Sequence, residues 1–384
     1  MALESPLFLT RLECPICGTV NELETIRVGA YTEGERMTDF CPSTIKWRNP
    51  KYQKYNPLLF FAATCSHCFY SREFNAKYRE WAKDNNFTTY RLKNLKEKHL
   101  GNMALENSFV KLVGDHLDID NYPDETAIMK LLLAVFDEQL NAYPSALDLG
   151  RLYLRIAWMF RHRNSSDETK TEIVDPGHIS DIERGVGDIR SWMAGFGRNI
   201  EYLNNAVTAH FEKQPDDSMR ERFTSVAEEL KSRKEDGQKF IDELEKLLGE
   251  TRLATGGGAG GFNSDFFEFE GFDEFLNRLI RVWDGVPRNE FEAMRLAVKF
   301  YISAFESGRE ISHGNQSLQA GYLIGELSRQ VSDHDTARQY FNTTIKMGQD
   351  FIKEIKGDRT RTALARKILE MAMTQGKKNL AEAK

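Results

Sequence analysis

Two Cys-x-x-Cys pairs constrain the fold of this chain more than any other feature of its sequence. The first pair is Cys14 and Cys17, and the second is Cys65 and Cys68. Each pair can bind one metal ion from a single tight turn, and zinc accepts four thiolates in a tetrahedron at about 2.3 Å from each sulfur. Four protein ligands leave no position for a reactive water. We therefore predict one structural zinc ion, Zn(2+), held by these four cysteines.

Cys41 and His67 are weaker candidates for the same site. Cys41 has no second cysteine beside it, so we expect a buried or half-exposed free thiol. His67 lies inside the second pair, where the turn should direct its ring away from the metal. Redox-active pairs are the alternative to zinc, but thioredoxin-like surroundings are missing. Five cysteines, four of them in such pairs, indicate a reducing compartment rather than a disulfide framework.

The first 72 residues carry the signals of short strands and turns. Apolar runs such as Thr25–Val28 and Leu58–Phe61 are flanked by Gly, Pro and Asn, which favours strands between turns. We therefore predict that residues 1–72 form a small β-rich zinc ribbon around the four cysteines.

Helical periodicity begins at residue 73. Pro123 suits the first turn of one helix, and a second helix is predicted from about Ala146 to His162. We expect residues 73–164 and 262–384 to form the two parts of one helical body, so that the protein is mainly α.

Heptad spacing distinguishes residues 165–254 from the helices around them. Apolar residues recur at intervals of four and three in two stretches, which is the seam of a coiled coil. The polar break Lys213–Asp217 separates the stretches, so the pattern predicts an antiparallel hairpin, with pairing between chains as the alternative. Arg233 and Gly237 are faults in the spacing. The predicted seam residues are Ile182, Val186, Ile189, Met193, Phe196, Ile200, Leu203, Val207, Met219, Phe223, Val226, Leu230, Phe240, Leu244 and Leu247.

Residues 255–261 are rich in glycine and predict a linker. A phosphate-binding loop would need Gly-Lys-Ser or Gly-Lys-Thr at its end, and neither is present. The linker is followed by an aromatic segment that we expect to pack onto the helical body, with docking to a partner as the alternative. Its aromatic residues are Phe266, Phe267, Phe269, Phe272 and Phe275.

The last third of the chain carries part of the tetratricopeptide (TPR) pattern. Gly325, Ala337 and Phe341 have the intervals that bring small residues together where two antiparallel helices cross closely. Leu149-Gly150-x-x-Tyr153 matches the first-helix half of that pattern, but the second half does not follow it in the sequence. We therefore expect at most one complete repeat among TPR-like helix pairs.

Several of these segments together resemble an uncharacterised bacterial family, the domain of unknown function 2225. The resemblance covers Arg11 to about Arg163 and resumes from about Asn289 to Met347. It implies a cytoplasmic zinc ribbon followed by TPR-like helices, marks the hairpin and the glycine linker as an insertion, and implies no activity. The segments that carry it are Cys14-Pro15-x-Cys17, Thr38-Asp39-Phe40, Asn56-Pro57, the second cysteine pair and, in the last third, Gly-Glu-Leu and Asp-x-x-x-Ala.

The second cysteine pair departs from the family pattern. It is followed by Phe69-Tyr70-Ser71, where the family commonly has Gly-Tyr-Ala. The resemblance therefore implies a turn that is altered but keeps its ligands.

Signatures of catalysis are scarce in the sequence. His-Glu-x-x-His and Gly-x-Ser-x-Gly are both absent. The segment Asp333-His334-Asp335 is a tight acid–histidine cluster, but it falls in a predicted turn, where polar residues are expected in water. We predict that the protein is not an enzyme.

Charge is unevenly distributed along the chain. The net charge is −6, yet residues 41–100 contain twelve Lys and Arg against four Asp and Glu. Part of this basic stretch interleaves cations with aromatic rings, a composition that can meet phosphates and stack on bases. Packing of the rings on the ribbon is the alternative. The candidate nucleic-acid-binding residues are Lys46, Trp47, Arg48, Lys51, Tyr52, Lys54 and Tyr55.

Two functions are compatible with this sequence. The first is a non-enzymatic cytoplasmic adaptor that binds a protein or peptide in a groove of TPR-like helices and makes a second contact through the hairpin, which could also join two copies. The second is a nucleic-acid-binding protein that uses the basic aromatic loop. No apolar run approaches the roughly 18 residues of a membrane span, so no membrane-spanning segment is expected.

Overall fold

The computed structural model describes residues 5–166, 189–190, 192–193, 196, 199–211, 217–254, 271–355 and 359–383. They belong to two compact units, one formed by residues 1–166 and 262–384 and the other by residues 167–261. The chain is mainly helical, with small antiparallel strand pairs near the N-terminus, as predicted. No helix within these described ranges is long and apolar enough to cross a membrane.

Three two-stranded antiparallel pairs form the N-terminal part of the first unit. They are β1 (Leu7–Glu13) with β2 (Val20–Ile26), β3 (Tyr31–Glu33) with β4 (Ile45–Trp47), and β5 (Ala62–Thr64) with β6 (Ser71–Glu73).

One strand prediction is wrong. Most of the run Leu58–Phe61 belongs to a 3-10 turn, Pro57–Phe60. Asn56 caps this turn by accepting a hydrogen bond from the Leu58 amide at 2.9 Å, and Pro57 has the backbone angle that a first helical residue needs. The cap and the proline therefore outweigh the apolar composition.

Most of the rest of the described chain is helical, and eleven α-helices have defined bounds there. In chain order they are α1 (Ala76–Arg79), α2 (Leu92–Met103), α3 (Phe109–Gly114), α4 (Pro123–Leu140), α5 (Ala146–Ser166), α6 (Asp217–Ala254), α7 (Phe272–Ile280), α8 (Glu290–Ser307), α9 (Asn315–Gln330), α10 (His334–Glu354) and α11 (Arg359–Glu382). Pro123 begins α4 as predicted, and α6 lies in the second unit.

The core of the first unit joins strands and helices. Helix α4 is buried along most of its length and packs against α5, β5, β6 and the 3-10 turn. One hydrophobic cluster contains Trp47 and Phe60 of the N-terminal region together with residues of α4, α5, α7, α8 and α9. Phe272 and Phe275 belong to this cluster, as expected for packing onto the body, whereas Phe266, Phe267, Phe269 and the glycine linker lie outside the described residues.

Two helix pairs of the first unit cross closely at a glycine. A Cβ atom on Gly325 of α9 would lie 2.8 Å from Phe341 of α10, so the predicted close crossing is present. A Cβ atom on Gly150 of α5 would lie 3.2 Å from Tyr301 of α8. Leu149–Tyr153 of α5 matches the first helix of the TPR pattern, but no second helix follows it directly in the sequence. Helix α8, which comes after the second unit, packs against α5 in that place.

The buried residues of the two second helices follow the same spacing. Ala297, Tyr301 and Ala304 of α8 correspond to Ala337, Phe341 and Thr344 of α10, at intervals of four and three, and all six are buried. The α5–α8 pair is thus a second example of the α9–α10 arrangement, interrupted in sequence by the second unit.

The second unit contains the helical residues predicted as a hairpin, but its buried seam is displaced. Ile241, which was not predicted, is 1% exposed and packs with Met193 and Leu244, whereas the predicted seam residue Phe240 is 59% exposed. A Cβ atom on Gly237 would lie 2.7 Å from Met193, so Gly237 belongs to the seam and is not a fault in it. Ile182 and Val186 lie outside the described residues.

Candidate metal centre

The two cysteine pairs lie in equivalent turns. At the first, the Cys14 amide donates to Thr19 O and the Gly18 amide donates to Cys14 O, both at 2.9 Å. At the second, the Cys65 amide donates to Tyr70 O at 2.9 Å and the Phe69 amide donates to Cys65 O at 3.0 Å. The antiparallel pairs β1–β2 and β5–β6 flank these turns and present both to one point.

Both turns end in a left-handed residue. Gly18 has φ of 79° and Phe69 has φ of 63°. At position 69 a residue with a side chain therefore adopts the conformation that glycine usually provides, and the second turn keeps the hydrogen-bond pattern of the first.

The four predicted sulfurs come together as a ligand set. Their Sγ atoms all lie within 4.8 Å of one another, with 3.7 Å between Cys14 and Cys68 and 3.6 Å between Cys17 and Cys65. A zinc ion with sulfurs at 2.3 Å in a tetrahedron would separate them by about 3.8 Å. The residues therefore fit a metal ion of the size and thiolate preference of zinc.

Electrostatics explain why this cluster suits a cation. The hydrogen bond with Cys65, together with burial, raises the pKa of Cys14 to about 12, and the hydrogen bonds from Cys14 and Cys68 lower the pKa of Cys65. Buried thiolates this close repel one another, so the sulfurs cannot all ionise unless positive charge lies between them. A divalent ion supplies that charge and lets all four bind as thiolates.

Asn21 supports the second turn from the opposite strand pair. Its Nδ2 donates to Cys65 Sγ at 3.4 Å, and its Oδ1 accepts from the amide and the hydroxyl of Ser66, both at 2.9 Å. Asn21 is itself buried in β2. No local sequence pattern marks this residue, because its contact with Cys65 spans 44 residues.

A buried histidine–aspartate pair joins the second turn to the helices. His99 of α2 donates from Nε2 to Cys68 O at 2.8 Å, and its Nδ1 lies 2.6 Å from Asp137 Oδ1 of α4. Asp137 Oδ2 accepts from the Ser71 amide at 2.7 Å. Burial alone would lower the pKa of His99, but the charge and hydrogen bond of Asp137 raise it above its ordinary value. This contact was also missed in the sequence.

The other candidate residues have structural positions. Cys41 is a buried free thiol, as expected, and burial raises its pKa to about 12. His67 is exposed within the second turn and is not among the four ligands. Asp333 caps α10 by accepting from the Thr336 amide at 3.2 Å, and His334 contacts Asn379 at 2.8 Å. The Asp333–Asp335 segment is therefore a helix-capping turn at the surface.

The basic aromatic loop separates its rings from its charges. Trp47 is buried, donates from Nε1 to Tyr55 O at 2.7 Å, and packs near Tyr52 and Phe60. Tyr52 and Tyr55 are partly buried and face each other at 5.9 Å. The cationic residues Lys46, Arg48, Lys51 and Lys54 are exposed. The loop therefore presents charge to solvent, while its rings pack on the N-terminal region.

Residues 37–41, which we call the tip, insert between helices of the body. Thr38 Oγ1 donates to Glu326 Oε1 of α9 at 2.6 Å, and Thr38 O accepts from Tyr322 OH at 2.8 Å. Asp39 is fully buried and accepts from Arg161 at 2.8 Å and from Trp158 Nε1 at 3.2 Å, both on α5. The motif Thr38-Asp39-Phe40 thus connects the N-terminal region to the helical body.

Comparisons with known proteins give a family but no close relative of known structure. A search of curated proteins and a search of solved structures found no significant match. One family matches residues 7–175 and 284–364, which leaves out the stretch that contains α6. The matched residues form more than half of the chain, which therefore belongs to DUF2225, described as an uncharacterized protein conserved in bacteria.

Proposed function

We propose that this protein is a non-enzymatic cytoplasmic adaptor, braced by one structural zinc ion, that holds protein partners on its helices. The zinc assignment rests on the spacing and chemistry of Cys14, Cys17, Cys65 and Cys68. Four thiolates fill the coordination sphere of zinc, so the ion would stabilise the turns and would not activate water. Free thiols and a thiolate site suit a reducing cytoplasm.

The helical body supports the adaptor role through its resemblance to TPR repeats. The glycine crossings at Gly150 and Gly325, with their matching second helices, have the spacing of that pattern. Repeats of this kind bind their partners on the extended concave surface that the stacked helix pairs create. Here the stacked pairs would be α5 with α8 and α9 with α10.

One observation carries the proposal of a protein partner: the second unit exposes a row of large apolar side chains on α6. Phe223, Val226 and Phe240 lie at heptad-compatible positions and are all exposed, although Ile241 of the same helix is buried. Exposed apolar side chains in register along a helix are typical of a surface that packs against another helix. We therefore propose that this row binds the apolar face of an amphipathic helix of a partner protein.

The test is quantitative affinity purification of the full chain from its native cell. Phe223→Glu with Phe240→Glu should reduce recovery of stoichiometric partners at least tenfold. Ser225→Glu with Ser232→Glu adds the same charge at exposed positions of the same helix and should leave recovery unchanged. An untagged copy of this chain among the lost proteins would identify self-association through the hairpin. Equal recovery of partners with both pairs of substitutions would contradict the proposal that this row of α6 binds a partner.

The alternative function, binding of nucleic acid, is supported only by the exposed cations of the basic loop. Because its rings are packed, that binding would be electrostatic and largely independent of base stacking.

A further inference from the structure

The groove that receives the tip is a polar contact between the N-terminal region and the helical body. It is lined by Trp158, Arg161, Glu290, Tyr322, Glu326 and Gln330. Three consecutive tip residues contact it: the Thr38 hydroxyl reaches Glu326, the Asp39 carboxylate reaches Arg161, and the Phe40 ring lies 5.5 Å from Tyr322. The groove thus recognises a hydroxyl, a carboxylate and an aromatic ring in succession.

The tip closes its backbone on itself and meets the groove mainly through side chains. The Met37 amide donates to Cys41 O at 2.8 Å, and the Phe40 amide donates to Met37 O at 3.0 Å. The Asp39 carboxylate also accepts from the Cys41 amide at 3.1 Å. A short cyclic segment could therefore reproduce the recognised shape without the rest of the N-terminal region.

The groove keeps its charges paired when the tip is removed. Arg161 also donates to Glu290 at 2.7 Å, and Glu326 also accepts from Arg329 at 2.7 Å and from Gln330 at 2.8 Å. Departure of the tip would expose Asp39 to water and would leave neither Arg161 nor Glu326 without a partner. The large penalty for stranding a buried charge is therefore avoided.

The tip itself is held in an unfavourable backbone conformation. Phe40 has φ of 67°, in the left-handed region that residues with a Cβ atom rarely occupy. Such strain persists where surrounding contacts impose it, and it favours release once those contacts are replaced.

We propose that this groove is a peptide-recognition site that the chain fills with its own tip, and that a partner protein occupies it with a turn carrying a hydroxyl residue, an aspartate and an aromatic residue in succession. This inference rests on the adaptor function and names the chemistry of one partner. The partner would displace the tip, so binding would expose residues 37–41.

Cys41 provides a direct readout of tip release in the unmodified protein. Its thiol is buried at the end of the tip, and burial raises its pKa to about 12, so it should react with iodoacetamide only after release. The probe is a backbone-cyclised peptide of residues 35–43 that carries Cys41→Ser. At saturation it should accelerate alkylation of Cys41 in the full zinc-loaded chain at least tenfold, measured by peptide mapping. The same peptide with Asp39→Asn should have much less effect, and an unchanged rate with the first peptide would overturn the proposal.

A second measurement tests the groove by binding. A full chain with Thr38→Gly, Asp39→Gly and Phe40→Gly should bind the labelled peptide at least tenfold more tightly than the wild type does. Adding Arg161→Ala should remove that gain, whereas adding Arg338→Ala, an exposed arginine paired with Asp335 on α10, should preserve it. If the tip variant retains its zinc and helical content but binds no better than the wild type, the proposal is wrong. If the variant does not fold, the alkylation of the wild type decides. Neither measurement depends on the apolar row of α6. A negative result for the groove would therefore not contradict the proposal that α6 binds a partner, which the affinity purification tests separately.

Discussion

The Phe69 ring packs directly against Gly114 and fills the space that a side chain at position 114 would need. A Cβ atom on Gly114 would lie 2.0 Å from Cδ2 of that ring. The ring therefore anchors the second cysteine turn on α3, and this packing offsets the left-handed backbone of Phe69.

Gly114→Ala should consequently destabilise the protein by about 1–3 kcal/mol, because the ring has to leave its place. The matched control is Gly101→Ala on α2, where a Cβ atom would meet nothing within 4 Å. That change should be neutral or should stabilise by up to about 1 kcal/mol through helix propensity. Urea unfolding followed by circular dichroism compares the two variants. Equal effects on the free energy of unfolding would show that the Phe69 ring does not pack tightly against position 114.

Gly325 and Gly376 offer a second matched pair, because both face Phe341. A Cβ atom would lie 2.8 Å from the ring at position 325 but 3.6 Å from the nearest Phe341 atom at position 376. Gly325→Ala should cost about 1–3 kcal/mol of unfolding free energy, while Gly376→Ala should cost nothing. A Gly325→Ala variant as stable as Gly376→Ala would contradict the close crossing on which the repeat-like reading of α9 and α10 depends.

The sequence revealed features that depend on local spacing. Each Cys-x-x-Cys pair spans only four residues, and Pro123 is a local start signal, so both features could be located from the sequence. The apolar composition of Leu58–Phe61 predicts a strand, but Asn56 and Pro57 set a 3-10 turn through one cap and one fixed backbone angle, so composition alone gives the wrong element there.

Contacts between distant segments could not be predicted in this way. Asn21 with Cys65, His99 with Asp137 and Asp39 with Arg161 join residues at least 38 positions apart, and none has a periodic signature. The seam of α6 was displaced for a related reason. Two apolar stripes on one helix share Leu230 and Leu244, and only packing against Met193 selects the stripe that includes Ile241.

Zinc removal should act first on the cysteine turns. Zinc sites of this type contribute roughly 10–16 kcal/mol of apparent binding free energy, so Cys65→Ser should lose the ion and unfold the segments around both turns. Elemental analysis should give one zinc per wild-type chain and none for the variant. Hydrogen exchange should accelerate around residues 12–21 and 63–71, while α4 and α5 keep most of their protection.

Cys41→Ser is the control for that experiment, because Cys41 is outside the four-sulfur cluster. It should retain one zinc per chain. Loss of zinc from Cys41→Ser, or continued protection of both turns in Cys65→Ser, would contradict the assignment of the ligands.

His99→Ala should be among the most destabilising single changes at the metal centre. It would leave Asp137 buried without its histidine partner, a situation that typically costs 3–5 kcal/mol. It would also remove the support of Cys68 O, so zinc should be lost to a chelator faster than from the wild type. The His99→Ala/Asp137→Ala double variant should cost less than the two single changes together, since it strands no charge. His67→Ala, at an exposed position two residues after Cys65, should change stability by less than about 0.5 kcal/mol.

The basic loop gives the clearest test between the two functions. If the protein binds nucleic acid there, single-stranded RNA should bind at low salt, with an affinity that falls as salt rises. Each phosphate contact contributes about 0.7 to the slope of log affinity against log salt. Lys46→Ala with Lys51→Ala and Lys54→Ala should therefore weaken binding and reduce that slope by about 2, because all three lysines are exposed.

The control removes the same charge from exposed positions in the second unit, through Lys231→Ala, Lys234→Ala and Lys239→Ala. Because both triple variants change the net charge equally, a local site in the loop predicts an effect for the first and none for the second. Equal weakening of RNA binding by both triple variants would indicate non-specific attraction to the total charge. If the wild type does not bind RNA at low salt, the nucleic-acid function is excluded and the basic residues are a solvated surface of the N-terminal region.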